Sequence, residues 1–124
     1  MYSFSKTIFS EFWKFYVEKY GITFSALSLE LFYGADEPRN RFLPSTINKM
    51  IKGELVETTI GTQCRDIIAA DDVIKAIKIF MEADLSGFNE IPVGTGEAPS
   101  ISDIVDFIWD ETGRKSEIKK VQSP

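Results

Sequence analysis

The sequence contains no histidine, and Cys64 is its one cysteine. The first absence excludes nucleophilic triads that take their base from an imidazole. With one thiol and no imidazole the usual zinc ligand set is missing, so no metal site is expected. A lone thiol cannot close an internal disulfide, which makes a reducing, cytoplasmic setting the expectation. No apolar run reaches the ~18 residues that a membrane span requires, and no membrane partner is expected. Residues Met1 to Lys6 lack the basic-then-apolar order of a secretory leader. Positive charge is also short: 14 Lys and Arg stand against 19 Asp and Glu, a net charge of −5. Nucleic-acid binding needs a basic footprint to release counterions, so the acidic balance argues against that partner class.

What is present is ordinary for a globular chain, with 44% hydrophobic and 27% charged residues. Its 124 residues allow one domain, or part of a larger one. Helix and strand signals alternate, which points to an α/β fold. Phe4, Ile8, Phe12, Tyr16 and Tyr20 recur every fourth residue and predict a helix over residues 3–20. Phe9 and Trp13 widen its stripe, while Phe15 and Val17 lie off it. Such a helix is apolar nearly all round and is expected to be covered on more than one side. Gly21 is its natural stop. Ile22 to Tyr33 reads as one strand buried on both faces, ended by Gly34. A short helix is predicted near Ser45 to Lys52, turning Ile47, Met50 and Ile51 inward.

Leu55 to Ile60 is rich in β-branched residues and predicts a strand. Arg65 to Ile68 reads as a short extended stretch. Asp71 or Asp72 is expected to cap a helix reaching about Ala83, with Val73, Ile77 and Phe80 inward. Asn89 to Val93 predicts a brief strand, leaving through the turn Gly94-Thr95-Gly96. Ser100 and Asp103 have capping-box spacing. They open a helix with Ile101, Ile104, Val105 and Ile108 inward, stopped at Gly113. Residues 114–124 read as a polar, frayed tail.

Tyr2 and Lys6 stand four apart, on one face of a helix. An ammonium beside a phenol favours tyrosinate and lowers its pKa from the usual ~10, which makes a general acid/base. The alternative is a helix start with incidental polar residues. Asp36-Glu37 beside Pro38 reads as a solvated turn. Cys64 beside Arg65 is either an inert thiol or an activated one. Gly94-Thr95-Gly96 has Pro99 where a third glycine is needed, so it reads as a strand-to-helix turn, not a dinucleotide cradle.

The order of these segments carries more than any one of them. Tyr2-Ser3-Phe4-Ser5-Lys6 is followed by Leu27-Ser28-Leu29-Glu30-Leu31-Phe32-Tyr33-Gly34 and Gly53-Glu54. Then come Gly61-Thr62-Gln63-Cys64-Arg65-Asp66-Ile67-Ile68-Ala69-Ala70-Asp71-Asp72-Val73 and Val93-Gly94-Thr95-Gly96-Glu97. Together they resemble the C-terminal part of the NAD-dependent epimerase/dehydratase family, the extended short-chain dehydrogenases that act on sugar nucleotides. The resemblance implies an α/β, Rossmann-type C-terminal portion with the small substrate-binding subdomain over residues 1–113, the dinucleotide-binding half being absent. It implies that Tyr2 and Lys6 are the catalytic pair and also touch the cofactor. Arg65 would grip the substrate's diphosphate, as a guanidinium fork suits phosphate oxygens; the other reading of Arg65 is an ion pair with Asp66 or Asp71. Tyr33 would sit at a strand exit beside the active site, facing substrate or packing. Leu31 stands where the family often carries an asparagine that touches substrate. NAD or NADP is implied as cofactor, though not expected to bind this chain alone.

The implied partners are a nucleotide-diphosphate sugar and a second copy of the chain, since the family's tyrosine-bearing helix commonly helps form a homo-oligomer. The expected function is the substrate side of a nucleotide-sugar epimerase, dehydratase or reductase, inactive by itself. The alternative is a non-catalytic binding or oligomerisation module of the same descent.

Overall fold

The structure, a computed structural model, describes residues 2–121; the side chain of Tyr2 lies outside the described part, as do Met1 and residues 122–124. In chain order the elements are α1 (Tyr2–Tyr20), β1 (Phe24–Leu29), β2 (Leu31–Tyr33), α2 (Phe42–Lys52) and β3 (Val56–Thr59). They continue with β4 (Ile67–Ala69), α3 (Ala70–Glu82), β5 (Phe88–Val93), α4 (Ile101–Glu111) and β6 (Ile118–Val121). The strands pair as β1 with β5, β2 with β4 and β3 with β6, every pair parallel. Helices connect the parallel strands, as that geometry requires. No helix among the described residues is long and apolar enough to cross a membrane.

Two apolar clusters hold these pairs. One joins Met50 of α2, Val56 of β3 and Ile101, Val105 and Ile108 of α4, with Phe42, Trp109 and Ile118 against them. The other joins Ile68 of β4, Val73 of α3 and Val93 of β5, with Leu27, Ala76 and Phe80. Met50 and Val105 are fully buried, and each side chain so removed from water contributes about 1.5–3 kcal/mol. The α1 helix leans on the β1–β5 pair through aromatic rings. Trp13 stacks on Phe24 with centroids 4.4 Å apart, and Phe24 stacks on Phe88 at 5.8 Å.

Several expectations are corrected. The single strand over Ile22 to Tyr33 is two strands, because the chain changes partners at Glu30. Its amide still donates to the Val93 carbonyl of β5 (3.1 Å), while Leu31 begins the pairing with Ile67 of β4. Neither segment is buried on both faces, and Leu29, Leu31, Phe32 and Tyr33 are exposed. The outward face of α1 is also open, with Phe4, Ile8, Phe12 and Phe15 exposed.

In α2 the inward residues are Thr46 and Met50, whereas Ile47 and Ile51 face outward. Helix α3 starts at Ala70, directly from β4, with Ala69 at the cap and no side-chain cap bond. Asp71 and Asp72 therefore lie within the first turn, where the exposed amides favour negative charge. Ile77 is exposed rather than inward.

Over residues 114–121 the chain is not a frayed tail, while residues 122–124 of that expectation lie outside the described part. Ser116 is buried, its hydroxyl donates to the Met50 carbonyl (3.2 Å), and Trp109 Nε1 donates to the Ser116 carbonyl (2.8 Å). The α4 capping box forms as its spacing predicts: the Asp103 amide donates to Ser100 Oγ, and the Ser100 amide donates to Asp103 Oδ2, each at 3.1 Å.

Candidate functional site

Parallel strands end on the same side, and crevices at their carboxyl ends are where α/β folds bind ligands. Here β2 and β4 finish in register, Tyr33 beside Ala69. The chain leaves β2 through Gly34 and leaves β4 straight into α3. A side chain at Gly34 would come within 3.1 Å of Ala70 Cβ, which shows how closely the two exits approach.

Around these exits lies an open cleft of about 780 Å³, lined by Glu30 to Pro38, Arg41, Ala69 to Asp71 and Ile74. A second, apolar cleft of about 310 Å³ lies between α2 and α4, walled by Leu43, Pro44, Ile47, Ile67, Pro99, Ile104 and Phe107. The two share Tyr33, Gly34 and Glu37. Ile47 and Phe107, exposed for large apolar residues, are thus cleft walls.

Of the residues singled out from sequence, Tyr33 stands where the two clefts meet. Arg65 lies on the segment entering β4. Its amide donates to the carbonyl of Pro99 (3.0 Å), a wall of the apolar cleft, but Arg65 itself lines neither cleft. Its guanidinium is exposed and donates through Nη1 to the Cys64 carbonyl (2.8 Å). The ion pairs among the described residues do not include it, so the alternative reading, a pairing with Asp66 or Asp71, is not formed. Tyr2 and Lys6 occupy the first two turns of α1. The geometry of that pair lies outside the described residues, because the Tyr2 side chain does. Cys64 is exposed and forms an antiparallel bridge with Ser100.

Asp66 was not legible from sequence as a site residue. Its Oδ1 accepts from the Thr95 hydroxyl (2.7 Å) and the Thr95 amide (2.9 Å), and its Oδ2 accepts from the Gly96 amide (2.9 Å). Bonds from the Thr95 hydroxyl first, and then the Thr95 amide, hold its carboxyl below the usual carboxylate range; a smaller opposing effect is partial desolvation. Its partners are 29 and 30 residues away, and no local pattern announces such a contact.

This arrangement also decides what the glycine turn does. A dinucleotide cradle presents free amides to a pyrophosphate. The Thr95 and Gly96 amides are already committed to Asp66, so Gly94-Thr95-Gly96 does not fit that role.

Comparison with known proteins agrees with the parallel α/β architecture. A CDP-abequose synthase from Salmonella muenchen is 36% identical over 119 residues, covering 94% of this chain and 41% of the relative. The solved UDP-N-acetylglucosamine 4-epimerase of Methanobrevibacter ruminantium superposes with a TM-score of 0.84 at 24% identity, over 99% of this chain and 41% of the epimerase. The UDP-glucose 4-epimerase of Thermotoga maritima gives 0.81 at 23% identity, over 98% and 41%. These two likenesses show the fold. The chain thus spans about two fifths of the length of these relatives. The description "NAD dependent epimerase/dehydratase family" belongs to a sequence model that matches residues 1–94, and the chain is a member of that family.

Proposed function

We propose that this chain is the C-terminal, substrate-side portion of a nucleotide-sugar epimerase, dehydratase or reductase. The observation that carries the reading is the pair of clefts meeting at Tyr33, with the Arg65 backbone bonded to Pro99, a wall of the apolar one. An apolar slot suits a nucleobase, and a guanidinium outside every ion pair among the described residues suits the adjoining diphosphate. The larger cleft, lined by Glu30, Asp36, Glu37 and Asp71, then offers carboxylates to sugar hydroxyls. Tyr2 exchanges a proton with the reacting hydroxyl, and Lys6, one turn away, eases that exchange by favouring tyrosinate. The reading assigns NAD or NADP to a part of the enzyme outside these residues, since the one Gly-x-Gly turn here is occupied by Asp66.

Calorimetric titration with CDP, UDP, dTDP and GDP tests the reading. One nucleoside diphosphate is expected to bind, with Arg65→Ala weakening it about tenfold or more, the usual scale of a lost charge-assisted contact. Binding of none, or equal binding by the variant, would overturn it.

One observation favours a second reading, an oligomerisation module. Phe4, Ile8, Phe12 and Phe15 line an open face of α1, and a contiguous exposed apolar face of this kind marks an interaction surface. Light scattering at micromolar concentration decides it: self-association abolished by Phe12→Lys supports it, and a monomer in both forms rejects it.

A further inference from the structure

Arg65 sits on a loop, yet a ligand-gripping guanidinium needs a fixed base. Two sets of contacts hold that loop. On one side residues 61–65 run against residues 99–102. The Arg65 amide donates to the Pro99 carbonyl, Ile101 to Gln63 and Ser102 to Gly61, each at 3.0 Å, with the Cys64–Ser100 bridge between them. On the other side the Asp66 carboxylate reaches across to the exit of β5 and takes the Thr95 hydroxyl, the Thr95 amide and the Gly96 amide. Gly94 leaves room for this, because a side chain there would collide with the Asp66 carboxylate.

We infer that Asp66 is a positioning residue for Arg65: it locks the segment bearing Arg65 onto the β5 exit and, being engaged there, leaves the neighbouring guanidinium un-neutralised. This rests on Arg65 being the diphosphate grip. A carboxylate adjacent in sequence would otherwise be the natural partner of that guanidinium. Both its oxygens are instead spent on donors some thirty residues away.

Amide hydrogen exchange on the full chain tests the lock without any ligand. Asp66→Asn replaces one acceptor oxygen by a donor, and Thr95→Val removes the hydroxyl donor together with the acceptor it offers the Glu97 amide (3.1 Å). Asp66→Asn is expected to speed exchange about tenfold at Thr95, Gly96 and Arg65 together, and Thr95→Val to do so more weakly. Acceleration at Thr95 and Gly96 with Arg65 unchanged would make Asp66 a local turn cap and overturn the inference. Unchanged exchange at all three would overturn it too.

The same variants, titrated with the nucleoside diphosphate that binds the parent chain, separate this claim from the one it rests on. Affinity lost in Arg65→Ala but intact in Asp66→Asn refutes the positioning role and leaves the diphosphate reading standing. If no nucleoside diphosphate binds the parent chain, the diphosphate reading fails and the positioning role fails with it. Coupling to Arg65 is read from Arg65→Lys. An Asp66→Asn loss that shrinks in that background supports the role, because a compact point charge depends less on a fixed fork; an undiminished loss contradicts it.

Discussion

Met50→Ala is the sharpest test of the core. Met50 is 0% exposed, enclosed by Val56 of β3 and by Ile101, Val105 and Ile108 of α4. Truncation there removes the transfer free energy of three heavy atoms and leaves a cavity that α2 and α4 cannot close without moving. Such Met→Ala changes cost about 2–5 kcal/mol, and full enclosure argues for about 3. With a urea slope of about 1.5–2 kcal/mol per molar, the midpoint should fall by about 1.5–2 M. The control is its neighbour Ile51, which is 62% exposed; Ile51→Ala should change stability by no more than about 0.5 kcal/mol. Urea unfolding followed by far-UV circular dichroism reads both. Equal losses at the two positions, or a larger loss at Ile51, would refute the assignment of the buried face of α2.

Three further outcomes are expected. Gly61 has φ +77°, and a side chain there would meet the Ser102 amide nitrogen at 2.8 Å; Gly61→Ala should destabilise by about 2–4 kcal/mol in the same urea assay. Ser100→Ala removes the oxygen that accepts the Asp103 amide, and should cost about 1 kcal/mol, seen as a lower thermal midpoint. The Asp66 and Asp103 carboxyls are both held low, Asp66 chiefly by the Thr95 hydroxyl and Asp103 chiefly by the Ser100 side chain. A folded pKa below the unfolded value near ~3.9 means stability that is present above about pH 4 and lost as pH falls through the folded value. Acid titration of the Asp66→Asn chain should therefore show a shallower loss below pH ~4 than the parent, and an identical profile would count against the hydrogen-bonded carboxylate.

The features legible in sequence are those set by neighbours along the chain. The four-residue stripe from Phe4 to Tyr20, the Ser100–Asp103 capping box and the left-handed stop at Gly21 (φ +63°) all declare themselves within one or two turns. What escaped depends on distant pairing. Nothing between Ile22 and Tyr33 says that the strand changes partners at Glu30, because β5 and β4 lie far along the chain. The spacing placed Ile47, Met50 and Ile51 together on one inward face, and only the packing of α4 selects Met50 over Ile51. Lys119 and Lys120 made residues 114–124 look solvated, yet β6 pairs with β3 and Lys119 reaches Glu57 at 2.9 Å.

The same division runs through the site. Tyr33 and Arg65 were picked out by motif, and the first proved to stand where two clefts meet. The fate of Asp66 was not visible, because the donors that claim it come from the β5 exit. The acids of the larger cleft were unread as well, since Asp36 and Glu37 look like any solvated turn until the β2 and β4 exits are brought together.

The central claim is that a nucleoside diphosphate binds between α2 and α4 with its phosphates on Arg65. The most direct measurement is amide chemical-shift mapping of the isotope-labelled chain titrated with CDP, UDP, dTDP and GDP in turn. The account predicts that one of them shifts Tyr33, Gly34, Arg65 and Phe107 together, and that Arg65→Ala removes the response. No shift with any of the four, or shifts confined to α1 or to Gly94 and Gly96, would contradict it.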